Sequence, residues 1–280
     1  LPPIGAMPIR AAATAGAGTG GAPAAKRPRR GAAAAAPAEE EEWTYDRLWD
    51  APVISRGWHA RNVKFWRSQG ADVRGATGGG VSQRDLQFSK EAVADLAKAH
   101  CGEGGLFERA LDLGAGIGRV TEAVLRRHCA HVDLVEFVQK HLKRAREMLG
   151  VQKGACTFSF HGSAVQKYEV MAGHYSFIWC QWLLMYLTDA DALDLLKRLG
   201  PGLARGGILV VKENVSTPDK ATYFDDMDGE LWEEGDQGGP VSCVRTEMHY
   251  EDLFQRAGLA IKEQKLQRDP SGKTMDMMLY

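Results

Sequence analysis

Three glycines at alternate positions, Gly114, Gly116 and Gly118, follow a short apolar run in the stretch LDLGAGIGRV, residues 111–120. Glycine there frees the main chain to take left-handed angles and lets a ligand approach backbone instead of side chains. About twenty residues further on, the run HVDLVE ends on Glu136, and an acid closing a second strand accepts hydrogen bonds from both hydroxyls of a ribose. The pattern points to a nucleoside-bearing ligand lying across a strand-to-helix turn. A dinucleotide fingerprint would need glycine at position 119, where Arg119 stands. The phosphate cradle of nucleoside triphosphatases would need a following Gly-Lys-Ser/Thr, which the sequence lacks.

What remains, G-x-G-x-G, is typical of methyltransferases that use S-adenosyl-L-methionine, a nucleoside cofactor without phosphate. Arg119 is then expected beside the cofactor's methionine carboxylate, where a forked guanidinium serves better than an ammonium. Gly114, Arg119 and Glu136 are the expected cofactor contacts on these grounds.

Such a site needs strands to carry it. Strands are expected at Ala110–Leu113, His131–Glu136, Thr157–Phe160, Ser176–Cys180 and Ile208–Lys212, with helices at Val120–His128, Val138–Leu149 and Ala190–Leu199. This alternation predicts an α/β fold with a parallel sheet covered on both faces. A further helix is expected at Tyr250–Ala257. Leu259–Leu266 and Met275–Tyr280, joined by the turn RDPSGK, read as an antiparallel hairpin at the sheet edge. Upstream, Thr44–Asp50, Trp58–Ser68 and Ser82–His100 carry helical apolar spacing, whereas GADVRGATGGG, residues 70–80, is too glycine-rich to form an element.

The expected organisation is an Ala/Gly/Pro-rich tail over residues 1–42 and one domain over 43–280, divided into a helical cap (43–105) and a catalytic core (106–280). The tail has almost no large apolar residue and is expected to be disordered. Its basic cluster Lys26–Arg30 is open to three readings: a nuclear localisation signal, a charge run balanced by Glu39–Glu42, or part of an organellar transit peptide. The expected location is cytoplasmic and nuclear, with the organelle left open. The 280 residues, 44% hydrophobic, suffice for one substantial core. A net charge of −1 supplies no field for nucleic acid or an anionic membrane surface, and no apolar run reaches the roughly 20 residues of a membrane span. The five scattered cysteines lack ligand spacing and read as reduced thiols, with no metal expected.

Further stretches resemble one family: FW (65–66), GG (78–79), LDLGAGIGRVTEAVL, VDLVE, IWCQWLLMYLTD (178–189), GGILVVKEN (206–214) and FDDMD (224–228). In order and spacing, from about Trp58 to Tyr280, they look like the protein α-N-terminal methyltransferases, which methylate the terminal amine of chains beginning Xaa-Pro-Lys. The resemblance implies a class I, Rossmann-like fold: a seven-stranded, mostly parallel sheet with helices on both faces, an antiparallel C-terminal hairpin and an N-terminal helical extension. It adds Phe65, Phe137, Val138, Val165, Gln166 and Gln181 to the cofactor contacts. On the substrate side it implies Trp182 against the penultimate proline, Asn214 on the substrate terminus, and Asp225 and Asp228 receiving ammonium groups. The expected partners are protein or peptide N-termini, neither nucleic acid nor membrane, with the chain acting as a monomer.

Two departures matter. Tyr186 stands where the family has a histidine thought to help deprotonate the amine, and Gly80 stands where an aromatic residue is usual. Glu213 for the family's Asp is a milder change. Substrate range and the identity of the base are therefore open. An α-amino group has a reference pKa of ~7.7–8.0 against ~10.4 for lysine, so part of it is uncharged at neutral pH and a weak base suffices. Asp228, directly or through water, is the expected acceptor; Tyr186 would orient the amine, and with Asn214 these form the expected catalytic set. The acidic run from Asp225 to Asp236, without Lys or Arg, suits a cationic substrate. The alternatives are a methyltransferase of another amine and a degenerate, cofactor-binding scaffold.

Overall fold

A computed structural model of the chain describes residue 49 and residues 57–77, 82–150, 154–216, 221–226, 241–268 and 275–280. The tail with Lys26–Arg30, the pair Gly78-Gly79, Gly80 and Asp228 lie outside the described residues. So does the expected helix Thr44–Asp50, apart from Trp49.

Three helices come first: α1 (Trp58–Ser68), α2 (Val73–Thr77) and α3 (Ser82–Cys101). The core then alternates β1 (Ala110–Leu113), α4 (Arg119–Ala123), β2 (His131–Val135), α5 (Gln139–Leu149), β3 (Thr157–His161) and β4 (Tyr175–Gln181). It continues with α6 (Asp189–Gly202), β5 (Leu203–Asn214), β6 (Tyr223–Asp226), β7 (Val241–Val244), α7 (Glu247–Arg256), β8 (Lys265–Gln267) and β9 (Met277–Leu279).

Seven strands form one sheet in the order β3-β2-β1-β4-β5-β9-β8. The first five run parallel, while β9 is antiparallel to both β5 and β8. Because both faces are covered, β1 is buried at every position and β4 at every position but Ser176, instead of at alternate ones. Along β4, Phe177 and Trp179 pack with Val93 and Ala97 of α3, Val120 of α4 and Ala145 of α5. Ile178 and Cys180 point the other way, into a layer with Leu195 and Leu199 of α6 and Leu253 of α7. The crossover after β1 therefore lies on one face and the crossover after β4 on the other. Between them a crevice opens at the carboxyl ends of the strands, the usual ligand position in such sheets. Register completes it: Leu113 pairs with both Val135 and Cys180, which sets Gly114, Glu136 and Gln181 side by side at that edge.

Four local expectations need correction. Residues 70–80 do hold a helix: Asp72 Oδ1 accepts from the Gly75 N–H at 2.8 Å, and Thr77 Oγ1 donates to the Val73 carbonyl at 2.7 Å, which stabilises one turn despite the glycines. The expected helix Val120–His128 breaks at Val124 (φ −125°) into α4 and a 3₁₀ turn, Leu125–Arg127. Of Leu259–Leu266 only Lys265 and Leu266 are in a strand, β8, which runs on to Gln267. The small β6–β7 sheet, with Asp225 opposite Ser242, was not expected at all. All five cysteines are unpaired, and among the described residues no helix is long and apolar enough to cross a membrane.

Candidate active site

A cavity of about 860 Å³ fills the crevice, lined by the glycine turn, Glu136 and Phe137, the segment Ser163–Lys167, the loop after β4, and α1. Gly114, Gly116 and Gly118 all have positive φ (66°, 55° and 76°), a backbone that only glycine takes without strain. Their surroundings differ. A Cβ on Gly118 would come within 3.1 Å of Ala145 on α5, so this glycine permits close packing. A Cβ on Gly116 would meet nothing within 4 Å, since this glycine faces the cavity.

Glu136 is buried and fixed by backbone. Its Oε2 accepts from the Gly116 N–H at 2.9 Å and its Oε1 from the Val138 N–H at 2.6 Å. Burial raises its pKa, opposed by those N–H groups. A carboxylate has about four acceptor positions, so each oxygen retains capacity for one hydroxyl.

Beyond the glycine turn, Arg119 donates to Asp85 Oδ2 at 2.7 Å, and Gln181 Nε2 donates to Asp85 Oδ1 at 2.7 Å. Lys212 Nζ reaches the same Oδ1 at 2.5 Å, the Asp85 carbonyl at 3.2 Å and Ser89 Oγ at 3.0 Å. Arg119 and Gln181 line the cavity. Gln181 Oε1 is buried without a partner, an acceptor suited to an ammonium. A diol acceptor, a side-chain-free turn, a guanidinium and an unmet acceptor fit adenosine joined to a zwitterionic amino acid, which is S-adenosyl-L-methionine.

Known proteins point to the same cofactor. The family profile described as AdoMet dependent proline di-methyltransferase matches residues 55–280. The chain belongs to this family. Among similar curated proteins, N-terminal Xaa-Pro-Lys N-methyltransferase 1 of Xenopus tropicalis is 31% identical over 207 residues, covering 72% of this chain and 85% of that protein. Alpha N-terminal protein methyltransferase 1 of Schizosaccharomyces pombe is 36% identical over 171 residues, 61% of this chain and 70% of its own length. A solved SAM-dependent methyltransferase from Leishmania major superposes with a TM-score of 0.68 at 28% identity, covering 84% of this chain and 89% of that one. The protein is an S-adenosyl-L-methionine-dependent methyltransferase.

In this methyltransferase the loop after β4 is pinned from below. Glu213 Oε1 accepts the N–H groups of Leu183 and Leu184, each at 2.7 Å. Full burial pushes the Glu213 carboxyl up to about 7, against those N–H bonds. Arg245 donates to the carbonyls of Leu184 and Leu187 and to Asp189, whose other oxygen meets His249 Nε2 at 2.8 Å. Burial alone would raise Asp189; the His249 bond and Arg245 hold it down at about 2. Trp182, next to the pinned pair, has φ 49°, the one positive φ outside glycine among the described residues. Its N–H donates to the Lys212 carbonyl at 3.0 Å, the Arg119 guanidinium stands 5.3 Å from its ring, and its indole Nε1 is buried without a partner. Tyr186 packs edge-on against Trp66 of α1 at 5.2 Å, and its carbonyl accepts from Trp58 Nε1 at 2.8 Å.

The cavity thus brings together Phe65, Gly114, Arg119, Glu136, Phe137, Val165, Gln166, Gln181, Trp182, Tyr186 and Asn214. Val138 does not line it: its side chain is buried and its contribution is the N–H that holds Glu136. Asp225 lies in β6, and Asp228 is outside the described residues. Sequence reasoning missed Asp85, Lys212 and Arg245. Lys212 left a signal, a cation inside the run ILVVKEN at a depth where an unpaired ammonium would be costly. Asp85 left none, lying in a helix read only for its apolar face.

Proposed function

We propose that the methyl acceptor is the α-amino nitrogen of protein chains beginning Xaa-Pro-Lys. The observation that carries this is Trp182, held at a strained φ of 49° with its indole in the cavity directly after Gln181. An aromatic face suits a proline ring, and the unmet indole N–H suits a peptide carbonyl. The names of the similar curated proteins support the same acceptor. S-adenosyl-L-methionine supplies a methyl group on a sulfonium, ready for in-line displacement.

The protein's own task is then alignment and proton removal. Asn214, at the end of β5 and on the cavity wall, is suited to hold the terminal nitrogen. Tyr186 borders the same space and orients it. Phe65 and Trp66 of α1 close the cavity and exclude water. Asp225 and Asp228 attract the ammonium, and Asp228 takes the proton. All these groups come from one chain, so a monomer is expected to be active.

The test is transfer from radiolabelled cofactor to peptides beginning Ser-Pro-Lys or Ala-Pro-Lys and to their N-acetylated copies. Label on the free termini alone is expected; label on acetylated copies, or none on either, refutes the proposal.

A further inference from the structure

Asp85 belongs to the cap helix α3, is fully buried and does not line the cavity, yet two cavity-lining groups converge on it. Arg119 takes one of its oxygens, while Gln181 and Lys212 share the other. The three ammonium protons of Lys212 find Asp85 Oδ1, the Asp85 carbonyl and Ser89 Oγ, which completes that cation's needs. One carboxylate therefore stands between two buried cations. Held by Asp85 and lining the cavity, Arg119 is placed to meet the carboxylate of an amino-acid ligand.

The other end of the site is built differently. Glu136 is held by backbone N–H groups of Gly116 and Val138. The ribose grip is thus internal to the core, whereas the grip on the amino-acid end passes through a cap residue. Along α3, Asp85 and Ser89 precede Ala92, Val93 and Ala97 at helical spacing, so the face that docks on the sheet also delivers the carboxylate.

We propose that Asp85 is a positioning residue: acting through Arg119 and Gln181, it couples docking of the cap helix to binding of the cofactor's amino-acid end, and not of its adenosine. This rests on the cofactor assignment. The test uses two ligands of the full chain: the product S-adenosylhomocysteine, and 5′-methylthioadenosine, which keeps the adenosine and thioether but lacks carboxylate and ammonium. In calorimetry, Asp85→Asn is expected to weaken S-adenosylhomocysteine on the order of tenfold or more, the usual effect of losing a charged hydrogen-bond partner, and to leave 5′-methylthioadenosine within about twofold. A purely structural role would weaken both. Should the variant fail to fold, hydrogen exchange on the wild-type chain decides: α3 amides are expected to slow with S-adenosylhomocysteine and not with 5′-methylthioadenosine. Equal losses for the two ligands, no loss for either, or equal slowing by both would overturn the proposal. Wild-type protein that binds neither ligand would overturn the cofactor assignment beneath it.

Discussion

The Gly116 N–H donates to Glu136 Oε2 at 2.9 Å, so the acid that ends β2 is fastened to the turn that ends β1. Two neighbouring strand ends become a single rigid receptor for a diol, and the carboxylate has no rotamer to search when ligand arrives.

Replacing Glu136 with Ala is expected to weaken S-adenosylhomocysteine about a hundredfold, two charge-assisted hydrogen bonds at roughly 1.5–3 kcal/mol each, less what water recovers. Because burial raises this pKa and the ionised form accepts the hydroxyls, affinity should fall as pH drops through the raised value. Calorimetry from neutral pH down through the carboxylate range checks this, and affinity that holds or rises on acidification contradicts it.

Glu213 gives a stability prediction of defined sign. Its folded value of about 7 lies above the ~4.3 of an exposed Glu, so the folded state holds a proton that the unfolded chain has released. Folding should become less favourable from about pH 4 to pH 7 and level off above. Asp112, also at about 7, adds to the same slope. Asp189, at about 2, adds the opposite contribution only under strong acid. Glu213→Gln keeps an acceptor for Leu183 and Leu184 and should remove roughly half the fall in Tm between pH 5 and pH 7.5, read by thermal denaturation.

Trp182 links backbone strain to recognition. An L-residue at φ 49° costs on the order of 1 kcal/mol that glycine avoids. Trp182→Gly should therefore be about 1 kcal/mol more stable than Trp182→Ala in urea, reversing the usual order of the two. Both variants should raise the peptide KM at least tenfold while S-adenosylhomocysteine affinity moves less than threefold. A parallel loss of both ligands would remove Trp182 from the peptide side.

The proton acceptor can be ranked. Asp228→Asn is expected to lower kcat by a factor on the order of 10²–10⁴, the usual range for a positioned base. Tyr186→Phe should cost less than tenfold. The reverse order in a Ser-Pro-Lys peptide assay would hand the proton to Tyr186.

Much of this was legible in the residues. The strands at Ala110–Leu113 and Thr157 onward, and the helix Trp58–Ser68, follow from apolar spacing, because buried parallel strands and amphipathic helices imprint that spacing directly. The glycine turn and Glu136 were legible because backbone angle and ligand chemistry restrict the residue types allowed. The α2 turn was not, since one side-chain cap from Asp72 outweighed the glycines. Nor was the β6–β7 pair, where acids with poor strand propensity, Asp225 and Asp226, lie opposite Ser242 and Val241 far along the chain. Val138 was assigned a ligand contact and supplies a backbone donor, a distinction no side-chain pattern records. The Asp85 cluster joins residues more than a hundred positions apart, and only folding discloses such a meeting.

The crevice itself owes nothing to any particular side chain: it exists because the connections leaving β1 and β4 turn to opposite faces of the sheet. Its walls are consequently open to revision. A wall residue such as Tyr186 can differ from the family's histidine and retune what enters without touching the strand connections. Topology here makes the room, and the side chains on its walls decide the tenant.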